Sequence, residues 1–341
     1  MGFIRLLLAI SVIAYHYYPY SKIFSGFGTE LAVNAFFIIS GFYMTLIISE
    51  KYSLKQNAYK MFLTNRFLRI YPIYWIILIL TILFNFYLLK SGSIVNLFVY
   101  RHPFDILSDF TLLIRSDYSN IYALFNNYPT VNVAWTLVIE LVFYIIAPFI
   151  VRRKLWIIVS LIIVSIIIKY GIAYYEMLHH TWQRSGFFLA SLCFFMLGVV
   201  SYRIYTQIKK RKIPKKFSLA LLLVIIFITI FWAFVPSIFT LHKFYLKDWG
   251  YYFLLTVSIP VIFLSFKSNF LEILMGKISY PVYVSHFLVG SFFINVFGFK
   301  NYTFGIFIVT IIGTMIFSYI LLRFIDEPID KYRQQRLKNI K

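Results

Sequence analysis

The sequence predicts an all-α polytopic membrane protein, with about ten transmembrane helices and both termini cytoplasmic. Composition is the first reason. Of 341 residues 61% are hydrophobic and only 13% charged, and the mean hydropathy is +0.80. A soluble core of this length does not need so much apolar surface. The second reason is spacing, because apolar runs of roughly 20 residues, the length that crosses the hydrocarbon as a helix, recur along the whole chain. The third is where the charge sits. Lys and Arg lie between the runs, heavily on one side, which is a topology signal. The 28 Tyr suit the headgroup boundary, where an apolar ring carries a wet hydroxyl.

Taken in order, the spans are about 3–20, 31–49, 70–89, 133–151, 155–173, 186–205, 217–236, 249–266, 277–298 and 303–325. The first is RLLLAISVIAYH and its flanks. No A-x-A-like site follows it and Tyr15–Tyr20 is bulky, so it is expected to be retained rather than cleaved. The third opens on Tyr71-Pro72, where proline near a helix start sets the entry angle. An even number of spans puts both termini on one side. With the N-terminus inside, only Lys22, Lys90, Arg101, Arg115, Lys169, Arg184, Lys243, Lys247 and Lys300 fall outside, and all other Lys and Arg fall inside. Most connections are short. The exception is roughly 90–132, outside, where DILSDFTLLI has the character of a short interfacial or re-entrant piece. Asp105, Asp109, Asp117, Asn126 and Asn127 there suit either an ordinary loop or contact with a polar acceptor such as sugar. No internal repeat or soluble appendage is evident, so residues 1–341 read as a single transmembrane domain.

A net charge of +21 invites a nucleic-acid reading, but its placement between spans excludes that partner. The single Cys193 lies in an apolar run and can form no intramolecular disulfide. His102, His179, His180 and His242 fall in outer loops without metal-ligand spacing, so no metal is expected. Walker loops, G-x-G-x-x-G after a strand and G-x-S-x-G elbows are all missing from the sequence.

The polar residues inside the spans are the informative ones, since ionisable groups in the bilayer are costly. Arg5 and His16 are eleven residues apart, close to three helical turns, so they share one face about 16 Å apart along the axis. In the second span, Ser40-Gly41 are small residues that allow close approach of a helix or a ligand. Arg66 and Arg69 share a face at the cytoplasmic edge of the third span. They serve equally as positive-inside anchors or as a fork for phosphate oxygens. Glu140 lies near the middle of the fourth span and must be protonated or paired. His286 reaches similar depth in the ninth. His16, Glu140 and His286 therefore come from three helices to comparable depth, where a shared polar cavity is expected.

These residues resemble the acyltransferase type 3 family of bacterial integral-membrane acyltransferases. Arg5 and His16 match its R-x10-H pairing, FFIISGF (Phe36 to Phe42) its F-F-x-x-S-G-F signature, and RFLRIYPIYW its R-x-x-R-x-Y-P segment. WTLVIELVFYIIAP, from Trp135, is similar to its W-S-L-x-x-E-x-x-F-Y-x-x-x-P stretch. ISYPVYVSH, with Tyr280 and His286, is similar to its S-Y-P-x-Y-x-x-H, and DEPID to its E-x-P. The resemblance implies a multi-pass enzyme of the bacterial cytoplasmic (inner) membrane. It would transfer an acyl group, usually acetyl from acetyl-CoA, to a sugar hydroxyl of a surface polysaccharide or its lipid-linked precursor. It makes His16 catalytic with Arg5 and Glu140 beside it, gives Arg66 and Arg69 the CoA phosphates, and adds Ser40, Asn34, Trp135, Tyr280 and His286 as candidate site residues. At Asn34 this chain departs from the Asp of many relatives, leaving Glu30 or Glu140 as the substitute carboxylate.

A histidine is mostly neutral at pH 7 and suits proton removal from an attacking hydroxyl. An acyl-histidine intermediate is the alternative. The rival classes are a transporter or flippase for a glycan or small solute, disfavoured by the lack of inverted repeats, and a scaffold in glycan synthesis. Lipopolysaccharide O-antigen, capsule, exopolysaccharide and peptidoglycan-linked sugars are all open as acceptors, and the oligomeric state is not written in the sequence.

Overall fold

A computed structural model describes residues 1–52, 57–91, 103–112, 130–175, 187–237, 240–241 and 244–338. Helices stand at all ten predicted spans. They are α1 (Gly2–Tyr17), α2 (Thr29–Glu50), α3 (Ala58–Lys90), α5 (Ala134–Ile150), α6 (Leu155–Tyr174), α7 (Phe188–Ile208), α8 (Lys215–Ile230), α9 (Leu246–Phe266), α10 (Phe270–Phe297) and α11 (Phe304–Leu321). Two further helices are α4 (Pro103–Thr111) and α12 (Glu327–Lys338). Seven helices among the described residues are long and apolar enough to cross a membrane, and α1 and α5 are shorter apolar helices. A two-residue antiparallel pairing, Thr240↔Tyr245 and Leu241↔Phe244, precedes α9. The chain is a polytopic all-α membrane protein. His102, His179, His180, His242, Asp117, Asn126 and Asn127 lie outside the described residues.

Helices this apolar all round must be buried in protein or face lipid, and burial tells the two apart. The apolar window of α2 is 78% buried and that of α6 only 11%, so α2 is the central post and α6 a lipid-facing wall. Close packing of α2 on α7 depends on a missing side chain on each. A Cβ at Gly41 would overlap the Phe195 carbonyl, and one at Gly198 the Ile38 carbonyl. Small residues at such crossings let backbones meet. The neighbouring Ser40 points elsewhere, and so Ser40-Gly41 divides between a polar face and a packing face. α1 lies parallel to α10: Gly2 sits on Gly276 and the Tyr17 ring on Gly290. Because α10 continues to Phe297, α1 ends beside its middle, which places His16 next to His286.

Contacts at one end of the bundle join the Arg-rich and Lys-rich segments. Arg152 donates to the Ile48 carbonyl, Arg203 to the Arg153 carbonyl (2.8 Å), and Lys209 lies 3.8 Å from Glu50. This is the basic end.

Three local departures from the sequence reading have physical causes. First, α3 starts at Ala58 rather than near 70, because the polar stretch before the apolar run is also helical. Pro72 is therefore inside the helix and not at its start. Second, α4 is docked on the side of α3. Tyr71, Tyr74 and Trp75 donate to the carbonyls of Thr111, Asp109 and Phe110 at 2.5, 2.7 and 2.9 Å, satisfying the carbonyls that a helix C-terminus leaves open. Tyr71 is 19 residues from Lys90, about 28 Å of helix rise, so α4 reaches far down α3. Asp109 is buried there, its carboxylate accepting from Thr130. Third, the tenth span does not end in a loop. A π-helical turn, Leu322–Asp326, leads into α12. In an α-helix the Pro328 ring would meet the carbonyl four residues back, and the wider turn relieves that clash. α12 then folds onto the first part of α3.

Candidate active site

A cavity of about 380 Å³ opens between α1, α2, α3, α5, α9, α10 and α12. Seven basic side chains line it: Arg5, Lys51, Arg66, Arg69, Lys267, Lys277 and Arg333, against the carboxylates of Glu140 and Glu272. Both carboxylates are engaged. Glu140 Oε1 accepts from Ser40 Oγ at 2.6 Å and from the Tyr144 hydroxyl, one helical turn along α5. Glu272 accepts from the Phe3 N–H at 2.7 Å and pairs with the Met1 amino group. Arg5 enters from the first turn of α1, whose parallel run beside α10 fixes its height.

Arg66 and Arg69 project from the early, polar part of α3. Arg66 is 8% exposed, yet its bonding is poor. Nη1 has only Met44 Sδ at 4.0 Å, the guanidinium is 5.9 Å from the Phe62 ring centre, and Nε makes no hydrogen bond among the described residues. Buried charge without a partner is costly. A group of arginines whose cavity carboxylates are already occupied can receive an anion, and guanidinium forks match phosphate oxygens.

The far wall of the cavity is α10. Tyr280 lines it and donates to the Ile70 carbonyl at 2.8 Å, tying α10 to α3. Tyr283 lines it too, its ring 5.6 Å from that of Phe36. Directly behind Tyr283 are the two histidines. His286 is fully buried and its Nδ1 lies 2.6 Å from the Tyr283 carbonyl. A carbonyl only accepts, so Nδ1 carries the proton and Nε2 a lone pair. That Nε2 is buried and makes no hydrogen bond among the described residues. His16 stacks on His286 with centroids 5.5 Å apart and planes at 25°, and Phe287 flanks both rings at 4.6 Å.

The expected single cavity shared by His16, Glu140 and His286 is thus divided. Glu140 lines the cavity with Ser40, whereas the histidines pair with each other beyond Tyr283 and are not in its lining. Depth alone could not reveal this, because helices at one depth still differ in the face they present. Asn34 is also directed away: buried against α9, its Nδ2 donates to the Tyr252 hydroxyl at 2.9 Å. Trp135 is half-buried and outside the lining, which Thr136 and Leu137 supply from the same turn. Glu30 pairs with Lys169 at 2.9 Å and is likewise outside it. Tyr144, Lys51, Lys267, Lys277 and Arg333 are additions that the sequence reading did not single out. The i,i+4 spacing from Glu140 was a signal for Tyr144. In the sequence the four basic residues read only as topology signals.

A helical membrane bundle that gathers arginines in one cavity, with a histidine pair beyond its Tyr283 wall, has parts that group-transfer chemistry can use. A family model described as an acyltransferase domain, the type 3 acyltransferases, matches residues 1–323, nearly the whole chain. The protein belongs to this family. No curated protein and no solved structure matches it.

Proposed function

We propose that the protein moves an acetyl group from acetyl-CoA to a sugar hydroxyl of a cell-surface polysaccharide or its lipid-linked precursor, across the bacterial inner membrane. The observation that carries this reading is the cationic cavity lined by Tyr283, whose main-chain carbonyl accepts from His286, the ring on which His16 stacks. The basic end is the cytoplasmic one, by the charge bias, and CoA is available there. Arg5, Arg66 and Arg69 hold the phosphates. Glu140 keeps Ser40 and Tyr144 in place and limits the excess positive charge. The acyl-bearing arm runs along α10 towards Tyr283, parallel to the roughly 16 Å between Arg5 and His16.

At the histidines the acceptor arrives from the opposite side. His16 is half-buried, whereas His286 is fully enclosed, so His16 is the ring that meets the hydroxyl. His16 takes the hydroxyl proton as the oxygen attacks the thioester carbonyl. The C–S bond breaks, the ester forms, and the proton passes from His16 to the departing thiolate. Such a positioned base contributes about 10²–10⁴-fold. His286 is a positioning residue: its proton is held on Nδ1 by Tyr283, and its ring face orients His16. Aromatic walls at Tyr283, Phe36 and Phe287 keep water from the thioester, whose hydrolysis would waste the donor.

The test is transfer of radiolabel from acetyl-CoA in membranes supplied with candidate glycans. Label should enter an alkali-labile ester in the glycan fraction and be lost in His16→Ala at unchanged protein level. Undiminished transfer by His16→Ala removes His16 from the mechanism.

A further inference from the structure

The family match ends at residue 323, ten residues short of an arginine that the fold brings into the cavity. Arg333 is on α12, a polar helix that by composition alone would be an ordinary cytoplasmic tail. It is nevertheless 6% exposed and lines the cavity with Arg66 and Arg69. Its Nη1 is 3.4 Å from the Asp330 carboxylate, and neither Nη1 nor Nε makes a hydrogen bond among the described residues. Asp330 is itself partly exposed and one turn away, and with Asp326 it offsets the charge without giving Nη1 or Nε a hydrogen bond. The π-helical turn at Leu322–Asp326 is what makes this placement available. One extra residue in a helical turn rotates everything after it by about 100°, and here the rotated segment returns to α3 with Arg333 facing inward.

A buried guanidinium with two N–H groups that make no hydrogen bond among the described residues, set among other arginines with only Asp330 and Asp326 to offset them, gains from an anion or from solvent that completes its bonding. We propose that Arg333 receives a phosphate group of the acyl donor, so that α12, from outside the matched family domain, closes the phosphate end of the cavity and sets preference for a phosphorylated donor. This rests on the donor reading above, and the partner is defined by chemistry as a thioester whose carrier bears phosphate groups.

The experiment uses the full chain with Arg333→Gln and Arg333→Lys, and three donors: acetyl-CoA, acetyl-dephospho-CoA and acetyl-pantetheine. For acetyl-CoA, Arg333→Gln should raise KM by about tenfold or more with kcat nearly unchanged, as expected for loss of a charged hydrogen bond. Lysine, keeping the charge without the fork, should recover part of that. With acetyl-pantetheine, which has no phosphate, the variant and the parent should have equal KM. If the effect also vanishes with acetyl-dephospho-CoA the contact is to the ribose phosphate, and if it persists there the contact is to the diphosphate; either supports the proposal. An unchanged KM for acetyl-CoA overturns it. So does equal impairment with acetyl-pantetheine, which would make Arg333 a prop for α12. Calorimetric binding of CoA alone separates this from failure of the transfer reading. Arg333→Gln should weaken CoA binding about tenfold even in a preparation that transfers nothing, and if the parent protein binds no CoA the donor reading falls first.

Discussion

Replacing Arg66 with Gln should weaken the donor complex strongly and leave the free protein as stable as before. In the free protein Arg66 has little to lose. Among the described residues its one side-chain hydrogen bond is to the Met44 sulfur at 4.0 Å, and its place 5.9 Å from the Phe62 ring centre contributes about 0.5–2 kcal/mol. Against that small gain stands the burial of a charge beside Arg69 and Arg333, whose removal is neutral or stabilising. With donor bound the balance reverses. A charged hydrogen bond to phosphate is worth about 1.5–3 kcal/mol, and Gln can replace one weak contact of a two-pronged fork. A net loss of about 2 kcal/mol corresponds to roughly 30-fold in affinity. Calorimetric titration with CoA measures the first effect, and thermal unfolding in detergent without ligand measures the second. Arg66→Lys should fall between, since it keeps the charge and loses the fork. Unchanged CoA affinity in both variants, with a lowered melting temperature, would refute the reasoning and make Arg66 a structural group.

His286→Asn keeps a donor for the Tyr283 carbonyl but removes the stacked ring and Nε2. It should lower kcat at constant KM for the donor, and a rise in KM alone would contradict a role beside His16. Gly41→Ala forces α2 from α7 at the Phe195 carbonyl, an overpacking cost of about 1–3 kcal/mol. Its melting temperature should fall with CoA affinity per folded molecule unchanged. Glu140→Gln removes one of the cavity's two carboxylates and retains an acceptor for Ser40 and Tyr144. CoA should then bind more tightly, and weaker binding would show that Glu140 acts by more than charge balance.

Hydropathy made the helices legible because lipid imposes one rule on every span, that backbone groups be satisfied within the helix. The same rule hid the early start of α3. Residues 58–69 are polar enough to look like a loop, yet they pack against α12 and line a cavity rather than meet lipid. Arg5 and His16 stood out because charge and imidazole are rare in such a run. Their relation to His286 could not be read, since it depends on α1 and α10 being parallel with one particular offset, fixed by Gly2 on Gly276 and Tyr17 on Gly290. Arg333 was invisible for a different reason. In a charge count it is one more cytoplasmic cation, and only the π turn and the return of α12 distinguish it from its neighbours. Local pattern thus located the costly residues, and helix phase decided which of them meet.

The central claim is that one cavity delivers a phosphate-bearing thioester to the histidine pair, and photolabelling tests it most directly. A CoA thioester with a photoreactive acyl group should label peptides containing Tyr283, His286 or His16, and excess CoA should prevent the labelling. Labels confined to other segments, or labelling that CoA does not prevent, would contradict it.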